Sequence, residues 1–299
     1  MIHKAVLLKQ TIDILKKNIP HIEKDSWYLD ATLGGAEHAY NISKLYPNTL
    51  NLVAFDLEKR AIEEAKKRDD MKFNERIFIN SNFRYLDTEL KLQNIEKIKI
   101  AMFDFGLSSD EIHDSKKGFS FLQDEPLVMT LGEPDRYSFT AKDILNTWKE
   151  GDIANVIYAY GEERFARRIA RNIVAYREKK PFETTQELVY VVKLSIPKIF
   201  QLKSKIHPAT KTFQALRIIV NDELEVIKNG LEKAWNMLDE GGIILAISFH
   251  SLEDRIVKNF IKNREKSVNL TSKPLIADQD EINNNPRSRS AKLRAIKKI

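Results

Sequence analysis

Two short apolar segments, each followed by residues that can do chemistry, stand out in the N-terminal part of the sequence. Residues 26–31 predict a strand that leads into the loop Thr32 to Gly35, and the apolar residues 52–55 end on Asp56. In a doubly wound sheet the first strand-to-helix turn lets a ligand approach the backbone, and an acid after the second strand accepts hydrogen bonds from ribose hydroxyls. The pattern therefore indicates half of a site for a nucleoside cofactor.

A further carboxylate follows a later strand. Residues 98–105 predict a strand, and the turn from Asp104 to Ser109 would lie at the carboxyl end of the sheet, where open α/β folds bind their ligands. The alternative is a Gly-Ser turn that caps a helix, with Asp104 only satisfying nearby backbone donors. The residues alone leave both interpretations open.

The elements that must position these groups follow a βαβ rhythm. Residues 36–46 and 59–68 predict helices, residues 76–80 predict a third strand, and residues 242–248 predict another strand. The gap between residues 105 and 242 is far longer than a connection within a sheet. Residues 141–206 are nearly all helical in pattern. We therefore expect a mostly parallel α/β sheet with a small helical domain inserted between its fourth and fifth strands.

Composition excludes several classes of protein. The 299 residues are 42% hydrophobic, which excludes wholesale disorder, and the absence of cysteine removes disulfides, thiolate metal sites and a thiol nucleophile. No metal site is expected. The N-terminal apolar segment is too short for a signal peptide, and no segment approaches membrane-spanning length, so a cytoplasmic location with no membrane partner is predicted. The net charge of +6 is compatible with binding a polyanion.

Seven sequence blocks together resemble one known family, the small-subunit rRNA (cytosine-N4)-methyltransferase H family, also called MraW. The blocks recur in the same order over almost the whole chain: residues 30–34, 82–83, 104–109, 118–121, 208–217, 248–255 and 285–291. The resemblance implies a Rossmann-like class I methyltransferase sheet with an inserted helical domain, S-adenosylmethionine as methyl donor, and methylation of a cytidine in the decoding (P-site) region of 16S rRNA. It implies a partner, small-subunit rRNA or the ribosomal subunit, and leaves the oligomeric state unknown.

The resemblance also suggests a division of the chain. Residues 1–112 would form the first part of the methyltransferase core, residues 113–212 an inserted helical substrate-recognition domain, and residues 213–299 the second part of the core with a basic C-terminal tail. Carried over residue by residue, the cofactor positions of the family fall on Gly34, Ala36, Glu37, His38, Asp56, Phe83, Asp104 and Glu111. Asp56 would hold the ribose hydroxyls, and Phe83 would present an aromatic face to the adenine. As structural alternatives, Asp56 caps a strand end and Phe83 belongs to the core.

The chain departs from the family pattern in the cofactor loop. Where the family usually has Gly-any-Gly-Gly-His, this chain has Gly34 to His38 with Ala36 and Glu37 in place of two glycines. Glycine is needed where φ is positive or where a side chain would block the ligand. Glu37 adds a charge that could repel the cofactor's carboxylate or pair with its ammonium group. A glutamine of the family is Glu111 here.

The implied reaction is a direct displacement in which the exocyclic N4 of cytosine attacks the methyl group on sulfur. An acceptor must hold one N–H of the amine while its lone pair turns toward the methyl group. Asp104, Ser108 and Ser109 occupy the strand end where other amino-methyltransferases carry their catalytic motif, and we expect them to fill this role.

Candidate RNA contacts lie in four parts of the chain. Lys211 and Arg217 flank the return from the insertion to the core, and Arg287 and Arg289 begin a tail segment that carries six basic residues and no acid. A disordered basic end is the alternative for that tail. His250 could face the target base, although Ser251 and Asp254 nearby resemble a helix cap. The helix with Arg164, Arg167, Arg168 and Arg171 could also contact RNA or be simply solvated.

Two other functions remain open at this point. A nicotinamide-dependent dehydrogenase would share the sheet and Asp56, but residues 34–39 do not supply its Gly-x-Gly-x-x-Gly motif. A non-catalytic ribosome-assembly protein would keep the RNA surface and lose the donor through the altered loop. Titration with a nicotinamide cofactor and with S-adenosylmethionine tests the first alternative. Calorimetry that shows no S-adenosylmethionine binding alongside retained rRNA binding would favour the second.

Overall fold

A computed structural model describes residues 4–106 and 116–299 of the chain. The chain divides into two compact units, residues 1–106 with 224–299, and residues 107–223. The first unit carries a sheet and the second is helical in the part that the structure describes, so the predicted α/β fold with an inserted helical domain is confirmed. The assignment of substrate recognition to residues 113–212 stays a prediction.

Strands and helices alternate in the first unit. Its strands are β1 (Ser26–Asp30), β2 (Leu50–Phe55), β3 (Arg76–Ile79), β4 (Ile98–Asp104), β5 (Leu238–Ser248), β6 (Ser267–Asn269) and β7 (Lys292–Lys298). Its helices are α1 (Leu8–Asn18), α2 (Glu37–Leu45), α3 (Lys59–Lys66), α4 (Leu86–Leu92), α11 (Glu223–Met237, which begins one residue before this unit), α12 (Ser251–Lys262) and α13 (Gln279–Asn284). Short 3₁₀ helices lie at Phe83–Tyr85 and Pro286–Ser290.

Within the described residues, seven strands form one sheet in the order β3-β2-β1-β4-β5-β7-β6. The first five strands are parallel, whereas β7 is antiparallel to both β5 and β6. The chain moves outward from β1 to β2 and then returns to place β4 on the other side of β1. The carboxyl ends of β1, β2 and β4 therefore meet at the point where the strand order reverses, which is where such sheets bind ligands.

Both faces of the sheet are covered, as expected for parallel strands linked by helices. The fully buried β2 shows why: successive side chains point to opposite faces. Leu52 and Ala54 pack into a core with residues of α1 and α2, and Val53 and Phe55 pack into a second core with residues of α4 and α11. The strand ends are thereby fixed between two apolar layers.

The second unit has its own core. Its helices are α5 (Ala141–Thr147), α6 (Glu150–Gly161), α7 (Ala166–Arg177), α8 (Thr185–Ser195), α9 (Lys198–Lys203) and α10 (Thr210–Asn221), with a 3₁₀ helix at Pro134–Arg136. Two of them begin with capping boxes, in which Thr140 pairs with Asp143 and Thr184 pairs with Glu187. A cluster of buried residues from 127 to 220 fills the interior.

The basic C-terminal segment is not a disordered end, because residues 292–298 form β7 inside the sheet. Leu293 and Ala295 are fully buried. Arg294 is only 7% exposed, and its guanidinium group donates to both carboxylate oxygens of Asp254 at 2.7 and 3.3 Å. The Asp254 carboxylate thus neutralises the positive charge of Arg294, and this ion pair stabilises the fold.

Among the helices that the structure describes, none is both long enough and apolar enough to cross a bilayer.

Candidate functional site

The predicted carboxylates lie at the ends of neighbouring strands. Asp30 ends β1, Asp56 directly follows β2, and Asp104 ends β4, with β1 between the other two in the sheet. Tyr28 donates its hydroxyl hydrogen to Asp30 at 2.8 Å, and the Thr32 amide donates to the other Asp30 oxygen at 3.2 Å. Burial raises the pKa of Asp30 to about 6. Sequence reasoning did not select Asp30 as a site residue, although its place at a strand end is the same signal that selected Asp56.

In the loop after β1, the space beside the backbone of Gly34 is unoccupied. Gly34 has φ +47°, and a Cβ built at this residue would meet no atom within 4 Å. Its amide donates to one oxygen of Asp56 at 2.8 Å, and the Glu58 amide donates to the other at 2.8 Å. Burial raises the pKa of Asp56 to about 6. The Leu57 backbone also acts on this carboxyl group, and with about four acceptor sites the carboxylate can accept a further hydrogen bond, as a ribose hydroxyl would require.

Ala36 and Glu37, which depart from the family pattern, have distinct structural consequences. Ala36 is buried and has φ +58°, so an L-residue occupies a backbone conformation that favours glycine. The Glu37 carboxylate accepts a hydrogen bond of 2.7 Å from Arg68, and the same guanidinium group also donates to the Gly35 carbonyl at 3.2 Å. Arg68 further packs over the Tyr40 ring, with 4.5 Å between its guanidinium carbon and the ring centroid. The added charge of Glu37 is therefore paired with a cation of the same unit.

Asp104 is the most strongly perturbed carboxyl group of the site. Its amide donates to the Thr32 hydroxyl at 2.7 Å, and its Oδ2 lies 3.8 Å from His38 Nε2. Its Oδ1 is buried and has no hydrogen-bond partner in residues 4–106 and 116–299. Burial raises the pKa of Asp104 to about 7; Asp30 and Glu253 add to the rise, while the Gly106 amide and Arg287 oppose it. A buried acceptor oxygen of this kind indicates a position for a donor or cation from a ligand.

Phe83 lies in the 3₁₀ helix after β3 and belongs to an aromatic cluster. Its ring meets Phe103 edge-on at 5.6 Å between centroids and lies 6.3 Å from Phe105. A Cβ on Gly230 would come within 2.5 Å of the Phe83 ring, so the helix α11 packs tightly against it. Phe83 is nevertheless half-buried. Phe83 therefore packs in the core while remaining partly exposed as a residue, and its contact with adenine stays a prediction.

Ser108, Ser109 and Glu111 lie in residues 107–115, outside the described part of the chain. The preceding residue Gly106 approaches Phe249 so closely that a Cβ there would lie 2.5 Å from the ring. The beginning of the predicted catalytic turn is therefore held against the segment that follows β5.

His250 is the N-cap of α12, one residue earlier than the cap expected at Ser251. The Glu253 amide donates to His250 Nδ1 at 3.4 Å, and the Phe249 and His250 amides donate to Glu253 Oε2 at 2.7 and 3.2 Å. Glu253 therefore holds the start of the helix in a capping box with His250. Ser251 is the first helical residue, and Asp254 instead pairs with Arg294.

The other predicted RNA-binding residues differ in how far they are engaged within the protein. Arg287 is half-buried and Arg289 exposed in the 3₁₀ helix Pro286–Ser290, and the charge of Arg287 acts on Asp104. In the helical unit, Lys211 donates to the Glu162 carbonyl at 2.7 Å. Arg217 donates to both carboxylate oxygens of Glu223 at 2.7 Å each. Among these four residues, Arg289 is the one most accessible to an RNA phosphate.

Together, the reversal point of the sheet, the open glycine loop and the buried acceptors define an α/β protein that binds a nucleoside cofactor carrying donor or cationic groups. Comparison with known proteins identifies the class further. The model of the MraW methylase family matches residues 1–299. The chain therefore belongs to the MraW methylase family.

Close relatives match over nearly their full length. Three of them are named ribosomal RNA small subunit methyltransferase H. The protein from Sulfurihydrogenibium sp. is 44% identical over 301 residues, with 99% of both chains covered. The protein from Clostridioides difficile is 41% identical over 316 residues, again with 99% of both covered. The protein from Hydrogenobaculum sp. is 43% identical over 296 residues, covering 99% of this chain and 95% of the relative. The chain is thus a methyltransferase whose methyl donor is S-adenosylmethionine, as predicted.

Proposed function

We propose that this protein methylates the exocyclic N4 of a cytidine in the decoding (P-site) region of small-subunit rRNA, acting on the RNA or on the ribosomal subunit. The names of its relatives support the RNA substrate. The observation that carries the chemistry is the buried Asp104 carboxylate, whose Oδ1 has no partner among the described residues. A cytoplasmic location would follow from a ribosomal substrate.

The residues present fit the methyl donor. S-adenosylmethionine supplies an electrophilic methyl group on a positively charged sulfur. Asp56 would accept hydrogen bonds from its ribose hydroxyls, and the accessible part of Phe83 would contact its adenine. The open backbone at Gly34 allows the methionine portion to approach the loop, where the first amides of α2 attract its carboxylate. Ala36, Glu37, His38 and Glu111 would complete the donor site, as the family pattern implies.

Asp104 would control the acceptor amine. The lone pair of the cytosine amine is delocalised into the ring, so the nitrogen is a weak nucleophile until it rehybridises. A carboxylate that accepts one N–H favours this change and directs the lone pair toward the methyl group. Ser108 and Ser109 would position the base beside Asp104. His38, whose Nε2 is 3.8 Å from Asp104 Oδ2, would help to orient that carboxylate.

The RNA would be held by cations outside the carboxylate cluster. Arg287 and Arg289 would contact phosphates near the methylation site, with His250 close to the base. Lys211 and Arg217 would contribute from the helical unit, and each would have to exchange a contact within the protein for one with RNA. The non-catalytic alternative loses its main support, because Arg68 pairs with the Glu37 carboxylate.

Mass mapping of modified nucleosides tests the proposal. Small-subunit rRNA is isolated from cells with the gene, without it, and with the Asp104→Ala variant, which removes both acceptor oxygens, in its place. We expect N4-methylcytidine in one fragment of the decoding region only in cells that carry the unaltered gene. Retention of that modification in cells without the gene, or in cells with the variant, would refute the assignment.

A further inference from the structure

The helical unit contains a cavity of about 400 Å³ that the proposed chemistry does not use. It lies beside the end of α6, the start of α7, the helix α9 and the segment that leads into α10. Its lining includes Arg164, Phe165, Phe200, Lys203, His207 and Lys211. We propose that this cavity binds an unpaired nucleotide of the substrate RNA, with the base stacked on the accessible faces of its aromatic side chains and of Arg164. This inference rests on the proposed RNA substrate and adds a second RNA-binding site within the same chain.

A cation stacked on aromatic rings forms one side of the cavity. The guanidinium carbon of Arg164 lies 3.8 Å from the centroid of Phe200 and 4.8 Å from that of Phe165. The two rings are 5.3 Å apart and tilted by 49°. Unpaired bases stack on aromatic rings and on the planar guanidinium group, and both surfaces are present here. Arg164 is exposed and Phe200 is 38% exposed, so these surfaces are accessible.

His207 forms another part of the lining and is held in a fixed orientation. Its ring is stacked on Phe121 with centroids 4.6 Å apart and planes 7° apart, and Phe121 packs edge-on against Phe213. Burial and the nearby Lys193 lower the pKa of His207, so the imidazole is neutral at pH 7. Its Nδ1 accepts from the Ala209 amide at 3.2 Å, which leaves the proton on Nε2. A rigid neutral donor of this kind suits the carbonyl oxygen or ring nitrogen of a base.

The charges around the cavity favour a phosphate next to the base. Arg164, Lys203 and Lys211 contribute three positive charges, against the carboxylates of Glu162 and Glu163. Glu163 is buried and caps the following turn by accepting from the Phe165 amide at 2.8 Å. Lys203 is exposed and can reach an anion outside the cavity. The local balance is therefore positive, as a nucleotide requires.

Size and apolar exposure agree with the same ligand. The volume lies within the range of sites that bind small molecules, and a single nucleotide fills much of such a site. Ile206, also in the lining, is 42% exposed although it is apolar. A base stacked over this region would remove apolar surface from water. Lys211, selected from the sequence as a substrate contact, belongs to this lining.

Fluorescence anisotropy with labelled RNA tests the proposal on the full chain. The probes are a single-stranded RNA 12-mer from the decoding region and the same 12-mer paired with its complement. The variants are Phe200→Ala and Arg164→Ala. Ile199→Ala is the matched control, because Ile199 is 56% exposed on the same helix and does not line the cavity.

Removal of a stacking platform is expected to weaken binding of the single-stranded RNA by about tenfold in each variant. The duplex should be much less affected, Phe200→Trp should retain wild-type affinity, and the Ile199 control should not change. In methyl transfer, KM for RNA should rise while kcat at saturating RNA stays the same. Affinities within twofold of wild type for both alanine variants would overturn the proposal, and would leave the cavity to another class of ligand such as an apolar peptide.

The proposed reaction can fail independently of this site. If mass mapping finds no cytidine methylation but the alanine variants lose affinity for single-stranded RNA, the cavity is an RNA site and the reaction is wrong. If methylation is confirmed and the affinities do not change, only the cavity proposal is refuted.

Discussion

The ionisation of Asp104 gives the sharpest prediction for the reaction. Burial raises its pKa to about 7, and only the deprotonated carboxylate can accept an N–H of the cytosine amine on either oxygen. The ionised fraction rises from about a tenth at pH 6 to about nine-tenths at pH 8 for a group with this pKa. We therefore expect kcat/KM for methyl transfer to increase about tenfold between pH 6 and pH 8, in proportion to that fraction.

Asp104→Asn isolates this effect, since its amide keeps an acceptor oxygen and cannot ionise. Loss of a charge-assisted hydrogen bond lowers kcat/KM by about 10- to 100-fold, and the remaining activity should lack the tenfold rise. Asp30 and Asp56, with pKa values of about 6, complete their titration in the lower half of this range and are present in both proteins, so their effect is common to both. The assay is transfer of a labelled methyl group from S-adenosylmethionine to small-subunit rRNA at several pH values.

The free energy of unfolding shows whether the Asp104→Asn variant is correctly folded. Because the pKa of Asp104 is raised in the folded state, its protonated form stabilises the fold at low pH, and this stabilisation disappears as the pH rises through about 7. Asp104→Asn removes that dependence, so at pH 8 the variant should be at least as stable as wild type. A wild-type rate that is constant from pH 6 to pH 8, or a folded variant with the same rise, would refute the role assigned to Asp104.

Three further substitutions have expected outcomes. Ala36→Gly should raise the free energy of unfolding by about 0.5–1 kcal/mol, measured in urea, because glycine adopts φ +58° without strain. Arg68→Ala should weaken donor binding in calorimetry by about fivefold, since the loop then loses the half-buried pair with Glu37. Asp254→Ala should lower the unfolding free energy by about 3 kcal/mol, because it leaves the Arg294 charge buried without its partner. Arg294 holds the pKa of Asp254 below its usual value, despite burial, so this stabilisation is present above about pH 4 and is lost as the pH falls.

Each of these variants has a matched control. Ala39→Gly, in the first right-handed turn of α2, should lower the free energy of unfolding by about 1 kcal/mol. If glycine lowered this free energy at both positions, strain at Ala36 would be contradicted. Arg60→Ala breaks an exposed pair with Glu64 and should leave donor affinity unchanged. If Arg68→Ala and Arg60→Ala changed donor affinity equally, the pair between Arg68 and Glu37 would have no specific role in donor binding. Lys292→Ala, which removes a looser contact of 3.4 Å to Asp254, should cost much less than loss of the acid.

The strand ends of the site could be predicted from the sequence because each is a local pattern. An apolar run that ends on an acid, as at Asp56 and Asp104, identifies both the element and the edge of the sheet at which it ends. The hydrogen bond from the Asp104 amide to the Thr32 hydroxyl joins residues 72 positions apart and depends on β1 and β4 being neighbours. No local pattern contains this information, so Thr32 was not selected.

Two other features could not be predicted from the sequence because they involve charged residues. Residues 292–298 contain four basic side chains, which favoured an RNA-binding tail with a disordered end as the alternative. Burial of Leu293 and Ala295 on the sheet, together with neutralisation of Arg294, makes a strand of the same residues. Similarly, the sequence left open whether Glu37 repels the donor's carboxylate or pairs with its ammonium group, because its partner Arg68 lies 31 positions away. The effect of a charged residue depends on a partner that the sequence does not specify.

The position of β7 also affects how the protein is synthesised. Its partner β5 ends at Ser248, more than forty residues before β7 begins at Lys292. Until the nascent chain has been extended to that point, β5 presents unpaired amide and carbonyl groups along an apolar strand, and such edges associate readily with other chains. Translation that pauses within this interval would therefore expose an aggregation-prone intermediate.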